Sequence, residues 1–295
     1  MRILVTGRDG QLGRCLAERA AAHPGLEIVA TSRAEADLSS AGSVAAAIAS
    51  VRPDLVINAA AYTAVDQAQA EPALAFRINA EGAGEAAAAA LEVGAPIIQL
   101  STNYVFDGEA AGPYREDAPT NPLSVYGRSK LAGEEAVRAA NPRHLILRTA
   151  WLYSPFGRNF VTTMVAAARE RKILTVVEDQ VGSPTSALDL ADGILALALA
   201  WQKQPDQRLG SVYHLAGREG VSWYEFAGAI MDECRRLGIP AAEVMPISTA
   251  DWPTAATRPR NSALDSSKFA RDFGFSLPHL RVSIGAVVER LAIHC

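Results

Sequence analysis

The chain has 295 residues, of which 49% are apolar and 20% charged, and a formal net charge of −4. That length supports one large domain or two modest ones with a substantial core. The balance excludes a global basic field, so nucleic acid is not expected as the main partner; an anionic ligand must be met by local arginines and backbone N–H groups.

The three cysteines, Cys15, Cys234 and Cys295, form no Cys-x-x-Cys or metal spacing, which points to reduced thiols. Met1 and Arg2 lead straight into an apolar run without a signal-peptide pattern. The most apolar long stretch, Ala187 to Trp201, is interrupted by Asp189 and Asp192 and reads as a buried helix. A soluble, cytoplasmic protein with no membrane partner is expected.

Ile3 to Thr6 is a short β run. Gly7-Arg8-Asp9-Gly10-Gln11-Leu12-Gly13 follows it, and a helix is predicted from Cys15 to Ala22. In that context glycines admit a close backbone approach, and the helix N-terminus offers N–H groups to a pyrophosphate. The spacing is G-x-x-G-x-x-G rather than G-x-G-x-x-G, so a plain βα turn stays open beside a dinucleotide site. The start at residue 7 favours the site, because a doubly wound fold carries it there. Leu26 to Thr31 is the second strand, ending in Ser32 and Arg33. An NAD-selective site carries an acid here for the ribose 2′-OH, whereas an arginine suits a 2′-phosphate. The chain therefore leans toward NADPH, with a solvated loop arginine as the alternative. Asp37 precedes Leu38 and a helix expected to open at Ser39 and Ser40; it either caps that helix or faces an adenine.

Leu55 to Asn58 is the third strand and runs into Ala59-Ala60-Ala61-Tyr62-Thr63. The alanine-rich helix from Ala80 to Leu91 has side chains small enough for close packing on a sheet. Ile97 to Ser101 is the fourth strand, leading into Thr102-Asn103-Tyr104. The carboxyl ends of parallel strands form the ligand crevice, which would gather Thr6, Tyr62, Thr63, Ser101 and Thr102. Pro122 resets the backbone, and from Leu123 the chain reads as a helix with Tyr126 and Lys130 four residues apart on one face. A free phenol titrates near pH 10. A close ammonium lowers that value and makes the phenol a better general acid. A solvated helix face is the plain alternative.

Leu145 to Arg148 is a further strand, feeding Trp151, and beyond it the βα alternation loosens. Ile173 to Val177 reads as a strand, Asp179 to Thr185 as a turn-rich loop, and Gln202 to Gly210 as a polar linker. Val212 to Leu215 is a short strand whose His214 is read as a core histidine. Tyr224 to Leu237 is an amphipathic helix, and Thr254 to Arg260 a loop holding Arg258 and Arg260 around Pro259. Val282 to His294 closes the chain as a helix. There is no internal repeat or low-complexity segment.

Together, Gly7, Gly10 and Gly13, the pair Ser101-Thr102, and Tyr126-x-x-x-Lys130 resemble the extended short-chain dehydrogenase/reductases. Over essentially the whole length the chain is similar, more specifically, to the dTDP-4-dehydrorhamnose reductase family. The local matches are Val5 to Gly13, Asn58 to Asp66, Ser101 to Gly108, Pro122 to Gly133, Asp179 to Thr185 and Arg258 to Ser262. The resemblance implies an α/β fold: a Rossmann-type doubly wound parallel sheet with a smaller C-terminal α/β substrate-binding domain. Residues 1–150 would bind NAD(P) and residues 151–295 mainly the substrate, with some segments returning to the first domain.

The implied reaction is hydride transfer from reduced nicotinamide to the C4 ketone of dTDP-6-deoxy-L-lyxo-4-hexulose, giving dTDP-L-rhamnose. Tyr126 would be the acid, Lys130 would lower its pKa and hold the nicotinamide ribose, and Thr102 would polarise the carbonyl. Placing donors where charge develops is the physical content of such a site. The cofactor, NADPH with NADH as the alternative, would be held by Gly7, Asp9, Gly10, Gln11, Leu12, Gly13, Ser32, Arg33, Asp37 and Leu38. Ala60, Ala61, Tyr62, Thr63, Leu100, Tyr126 and Lys130 would complete that site. Thr102, Asn103, Tyr104 and Trp151 would hold the sugar. Arg258 and Arg260 are read as the cations for the dTDP phosphates.

Two positions depart from the family pattern. Asn103 stands where the family usually has Asp; an amide keeps an acceptor, adds donors and removes the charge. Cys15 stands where some relatives place an acid for Mg²⁺ at a dimer contact, so no metal is expected, and the chain is read as a monomer or weak homodimer. The alternatives are another nucleotide-sugar reductase or epimerase of the superfamily, or a non-catalytic NADP-binding regulatory subunit. Dehydratases typically follow the Thr with an Asp-Glu pair, and Asn103-Tyr104 lacks that acid and base. The regulatory reading sits poorly with an intact Thr102, Tyr126 and Lys130.

Overall fold

In the computed structural model of the chain, residues 1–204 and 208–293 are described. The first half alternates strands and helices: β1 (Arg2–Thr6), α1 (Gln11–Ala20), β2 (Glu27–Thr31), α2 (Ser43–Val51) and β3 (Leu55–Asn58). The helix Gly82–Glu92, β4 (Ile97–Thr102), the helix Val125–Ala140 and β5 (His144–Thr149) follow. One six-stranded sheet results, in the order Ser211–His214, β5, β4, β3, β1, β2, with every pairing parallel. Its last strand is thus drawn from the second half of the chain.

Successive side chains on a strand point to opposite faces, so a sheet covered on both faces needs strands apolar throughout. Ile3 and Val5 enter one core with Leu16, Leu147 and Leu190, while Leu4 enters the other with Ile48, Val56 and Ala86. The strand order reverses between β1 and β3, and that switch point is where an open α/β sheet accepts a ligand. Across its carboxyl edge runs a buried polar row. The Thr6 hydroxyl donates to Asn58 Oδ1 at 2.6 Å, and Asn58 Nδ2 donates to Gln99 Oε1 at 2.7 Å.

Several boundaries differ from the sequence reading. α1 starts at Gln11 rather than Cys15, because the extended Gly10 already contributes its carbonyl to Arg14 N–H at 3.1 Å. α2 starts at Ser43: Asp37 takes the Ser39 N–H and hydroxyl into a tight turn, and Gly42, at φ +77°, is the N-cap. The helix after Pro122 starts at Val125, where the Ser124 hydroxyl accepts the Gly127 N–H at 3.1 Å. The turn Arg77–Glu81 is π-helical, and this was not foreseen. It aims Asn79 so that its side chain bonds both backbone groups of Tyr62 and the Ser129 hydroxyl.

In the second half Ile173–Val177 pairs in parallel with Glu243–Ile247, a strand the sequence did not announce. The helix Ala187–Lys203 packs on α1, and the helices Trp223–Arg236 and Leu280–Ala292 extend the same core. Residues 205–207 of the expected linker, and His294 at the end of the expected last helix, lie outside the described residues. His214 is fully buried with Nδ1 3.1 Å from the Tyr114 carbonyl. Burial, with the charge of Arg148, pushes its pKa down to about 3, so it is a neutral core residue. Among the described residues no helix is long and apolar enough to cross a membrane.

Candidate active site

A cleft of about 800 Å³ opens at the carboxyl edge of the sheet. Its floor at one end is the glycine turn. Gly7 has φ +82°, and its N–H bonds the Thr31 carbonyl, which fixes the turn against β2. A Cβ on Gly13 would lie 2.2 Å from the Gly7 carbonyl oxygen, so only glycine lets α1 approach the turn so closely. No side chain caps α1, which leaves its first N–H groups directed at the cleft. A bare helix terminus on a backbone cradle is the donor set a dinucleotide pyrophosphate requires.

Asp9, Gly10, Gln11 and Leu12 line this end, with Arg33, Asp37 and Leu38 beyond β2 and Ala60, Ala61 and Thr63 after β3. Ser32 is buried behind Glu35 and does not line the cleft. Neither does Tyr62, whose hydroxyl donates to Glu71 at 2.7 Å.

At the other end Leu100, Thr102, Asn103, Tyr104, Tyr126, Lys130 and Trp151 come together. A Cβ on Gly127 would lie 2.2 Å from the Tyr104 carbonyl oxygen, so the helix carrying Tyr126 rests directly on the Tyr104 backbone. The rings of Tyr104 and Tyr126 meet edge to face, 5.6 Å apart. Thr102 and Tyr126 line the cleft together, and the Thr102 side chain lies close enough to favour the Tyr126 phenolate. Lys130 is 4% exposed and donates to the Leu100 carbonyl at 2.7 Å.

The electrostatics correct one expectation. Tyr126 keeps part of its surface open to the cleft, yet enough protein surrounds it for burial to push its pKa up to about 12, with Thr102 acting in the opposite sense. The lowering expected from Lys130 is not seen: the groups that shift Tyr126 are its burial, Thr102 and Tyr104. Burial pulls Lys130 itself down to about 8, opposed by the charge of Glu134 one turn further along the helix. Glu134 is wholly buried and is held by Arg148 at 2.7 and 2.8 Å and by the Ser101 hydroxyl at 2.6 Å. Burial favours its neutral form, but these partners win and keep the carboxyl below the usual carboxylate range. At neutral pH Tyr126 therefore holds its proton, and Lys130 keeps a positive charge.

Asn103 is 1% exposed; its Oδ1 accepts from the Thr102 hydroxyl at 3.2 Å and its Nδ2 donates to the Ser262 carbonyl at 3.3 Å. A carboxylate could not make the second bond. Arg258 is tied to Asp66 at 2.6 Å and to the Tyr104 hydroxyl at 3.3 Å, and it does not line the cleft. Arg260 is exposed, off the cleft, with its charge toward Asp179.

The sequence reading missed Trp223, which stacks on Trp151 at 3.5 Å and lines the cleft with it. The Ser222-x-x-Glu225 capping box marks the start of that helix and could have exposed Trp223. Arg158 also lines the cleft and has no ion pair among the described residues.

Sheet order, glycine turn and the Tyr126–Lys130 pair define the class: an extended short-chain dehydrogenase/reductase. A family model described as "RmlD substrate binding domain" matches residues 1–293. The dTDP-4-dehydrorhamnose reductase of Sinorhizobium fredii is 43% identical over 99% of this chain and 98% of its own length, and that of Escherichia coli is 41% identical with the same coverage. Among solved structures, the Clostridium acetobutylicum dTDP-4-dehydrorhamnose reductase superposes with a TM-score of 0.90 at 38% identity, covering 99% of this chain and 100% of that one. The Bacillus anthracis enzyme, solved in complex with NADP, gives 0.88 at 34% identity over 98% of each chain. The chain belongs to the dTDP-4-dehydrorhamnose reductase family.

Proposed function

We propose that the chain reduces the C4 ketone of dTDP-4-dehydro-6-deoxy-L-mannose to dTDP-L-rhamnose with NADPH, the final step of dTDP-L-rhamnose synthesis. In this reading residues 1–150 hold the cofactor and residues 151–295 mainly the sugar nucleotide. The carrying observation is that Thr102, Tyr126 and the buried Lys130 line one cleft together with the glycine turn of Gly7, Gly10 and Gly13.

When bound, NADPH supplies the hydride to the carbonyl carbon. Thr102 and Tyr126 meet the carbonyl oxygen, and Tyr126 gives its proton to that oxygen as negative charge develops there. The net change is one hydride and one proton added across C=O. A Tyr126 pKa pushed up to about 12 keeps the acid loaded at neutral pH. The Lys130 ammonium favours the phenolate left after transfer. The stacked Trp151 and Trp223 form an apolar wall suited to a sugar face, and Asn103 orients Thr102.

The test is the loss of reduced-nicotinamide absorbance with the 4-keto sugar made in situ from dTDP-glucose by a dehydratase and a 3,5-epimerase. We expect turnover that needs the epimerase and yields dTDP-rhamnose. Tyr126→Phe is expected to lower kcat about 10²–10⁴-fold while leaving NADPH binding intact. Unimpaired turnover in Tyr126→Phe would remove the phenol from the mechanism.

A further inference from the structure

At the end of β2 two arginines each carry a carboxylate. Arg8 Nη1 lies 3.0 Å from Glu35 Oε2, and Arg33 Nε lies 3.6 Å from Asp37 Oδ2. The same Glu35 oxygen accepts the Ser32 backbone N–H and the Ser32 hydroxyl, each at 2.7 Å. A backbone N–H, a hydroxyl and a guanidinium converging on one anionic oxygen are the donors that hold a phosphate monoester. Their position is specific. Ser32 directly follows β2, and Arg8 directly follows the first glycine of the turn, which is where a bound dinucleotide presents its adenosine 2′ position.

A local structural role accounts for only part of the arrangement: the Glu35 and Ala36 N–H groups bond the Ser32 carbonyl, so the Ser32–Glu35 bonds close one turn, but that turn does not call for Arg8. Ser32-x-x-Glu35 has the spacing of a capping box, but residues 33–36 form a turn and the next helix begins only at Ser43. Glu35 is half exposed and gains Arg8 from a different strand connection. The bonds from Ser32 hold its carboxyl below the usual carboxylate range, so it is charged at neutral pH.

We propose that Glu35 is a specificity-determining residue: its carboxylate occupies the donors a ribose 2′-phosphate would take, and so limits discrimination in favour of NADPH over NADH. A 2′-phosphate must displace the carboxylate and meets its like charge. A 2′-hydroxyl can instead donate to it. The inference rests on the dinucleotide-binding reading given above.

The test compares NADPH with NADH, and adenosine 2′,5′-bisphosphate with AMP, on the full chain. Affinities come from nicotinamide fluorescence and calorimetry, for the wild type, Glu35→Gln and Glu35→Ala. Gln keeps an acceptor for Ser32 while removing the charge, which separates charge from turn geometry. We expect both variants to raise the preference for the 2′-phosphorylated member of each pair about tenfold, the size of a near-surface charge interaction. NADPH and adenosine 2′,5′-bisphosphate should bind more tightly and NADH and AMP more weakly, most so in Glu35→Ala, which removes the acceptor of the 2′-hydroxyl. Arg8→Met should lower the same preference. Nucleotide binding with an unchanged preference in both Glu35 variants would overturn the role of Glu35 alone. Failure of every nucleotide to bind the wild type would overturn the dinucleotide reading itself, and this inference with it.

Discussion

Lys130 sits where its own charge is disfavoured. It has almost no contact with water, its one hydrogen bond goes to the Leu100 carbonyl, and the nearest opposing charge, Glu134, is already shared between Arg148, Arg138 and Ser101. Burial accordingly brings its pKa from 10.5 down to about 8, into the range where enzymes are assayed. The charged form dominates below that value, and in the mechanism proposed above it is the form that favours the phenolate of Tyr126. We therefore expect kcat/KM for the reduction to be flat below about pH 8 and to fall as pH rises through it. Tyr126, at about 12, contributes no break in that range. The effect on stability has the opposite sign. The unfolded lysine holds its proton more tightly, so the burial cost is present in full below about pH 8 and is relieved between there and 10.5. A pH–rate profile combined with melting curves checks both statements; an alkaline limb beginning only near pH 10 would show that Lys130 remains fully charged in the working enzyme.

At the scale of elements, the glycine turn and α1 give the sharpest prediction. An ordinary Gly→Ala change inside a helix is stabilising by about 0.5–1 kcal/mol. Gly13 is in the third residue of α1, but its Cβ would fall 2.2 Å from the Gly7 carbonyl oxygen, a backbone atom that cannot swing aside. Gly13→Ala should therefore destabilise, by about 1–3 kcal/mol, and weaken NADPH binding by forcing α1 off the cradle. A melting temperature at or above that of the wild type would contradict the close approach. The sheet was legible in the sequence because buried parallel strands are apolar throughout: Ile3 to Val5, Leu55 to Ile57 and Ile97 to Ile98 leave no polar side chain to mislead. Boundaries were less legible where a cap or turn decides them, as at Gly10, Gly42 and Ser124. Glu243–Ile247 was missed because it is short, half exposed and interrupted by Pro246, so it shows neither an apolar run nor clean alternation.

At the scale of the whole molecule, the motifs that looked like separate signatures are parts of one junction. Residues 258–264 run as an extended strip between two loops. Val181 N–H bonds the Arg260 carbonyl at 2.7 Å and Ser262 N–H bonds the Val181 carbonyl at 2.8 Å, while Asn261 N–H bonds the Gly108 carbonyl at 3.3 Å. Arg258 reaches Asp66, and the Ser262 carbonyl takes Asn103. Tyr126, Lys130 and the glycines were legible because their chemistry lies within one element. The partnerships Asn103–Ser262, Asp66–Arg258 and Trp151–Trp223 join residues far apart in the chain, which no local pattern encodes. This also explains why Arg260, read as a phosphate ligand, faces away from the cleft: its backbone is committed to the strip. The junction can be tested at Gly108, which has φ +89° and whose Cβ would lie 2.7 Å from both Arg260 N and Pro259 Cβ. Gly108→Ala combines an unfavourable left-handed alanine with a backbone clash, together about 2–4 kcal/mol, which for a chain of this size is roughly 5–12 °C in melting temperature. Because the strip carries the acceptor of Asn103 and Asn103 holds Thr102, KM for the sugar nucleotide should rise and kcat should fall in the molecules that remain folded. The glycine cradle lies on the other side of the sheet's switch point and touches none of these groups, so the Kd for NADPH should stay within about twofold of the wild type. Equal losses in cofactor and sugar-nucleotide affinity would mean instead that the strip supports the whole cleft rather than its sugar end.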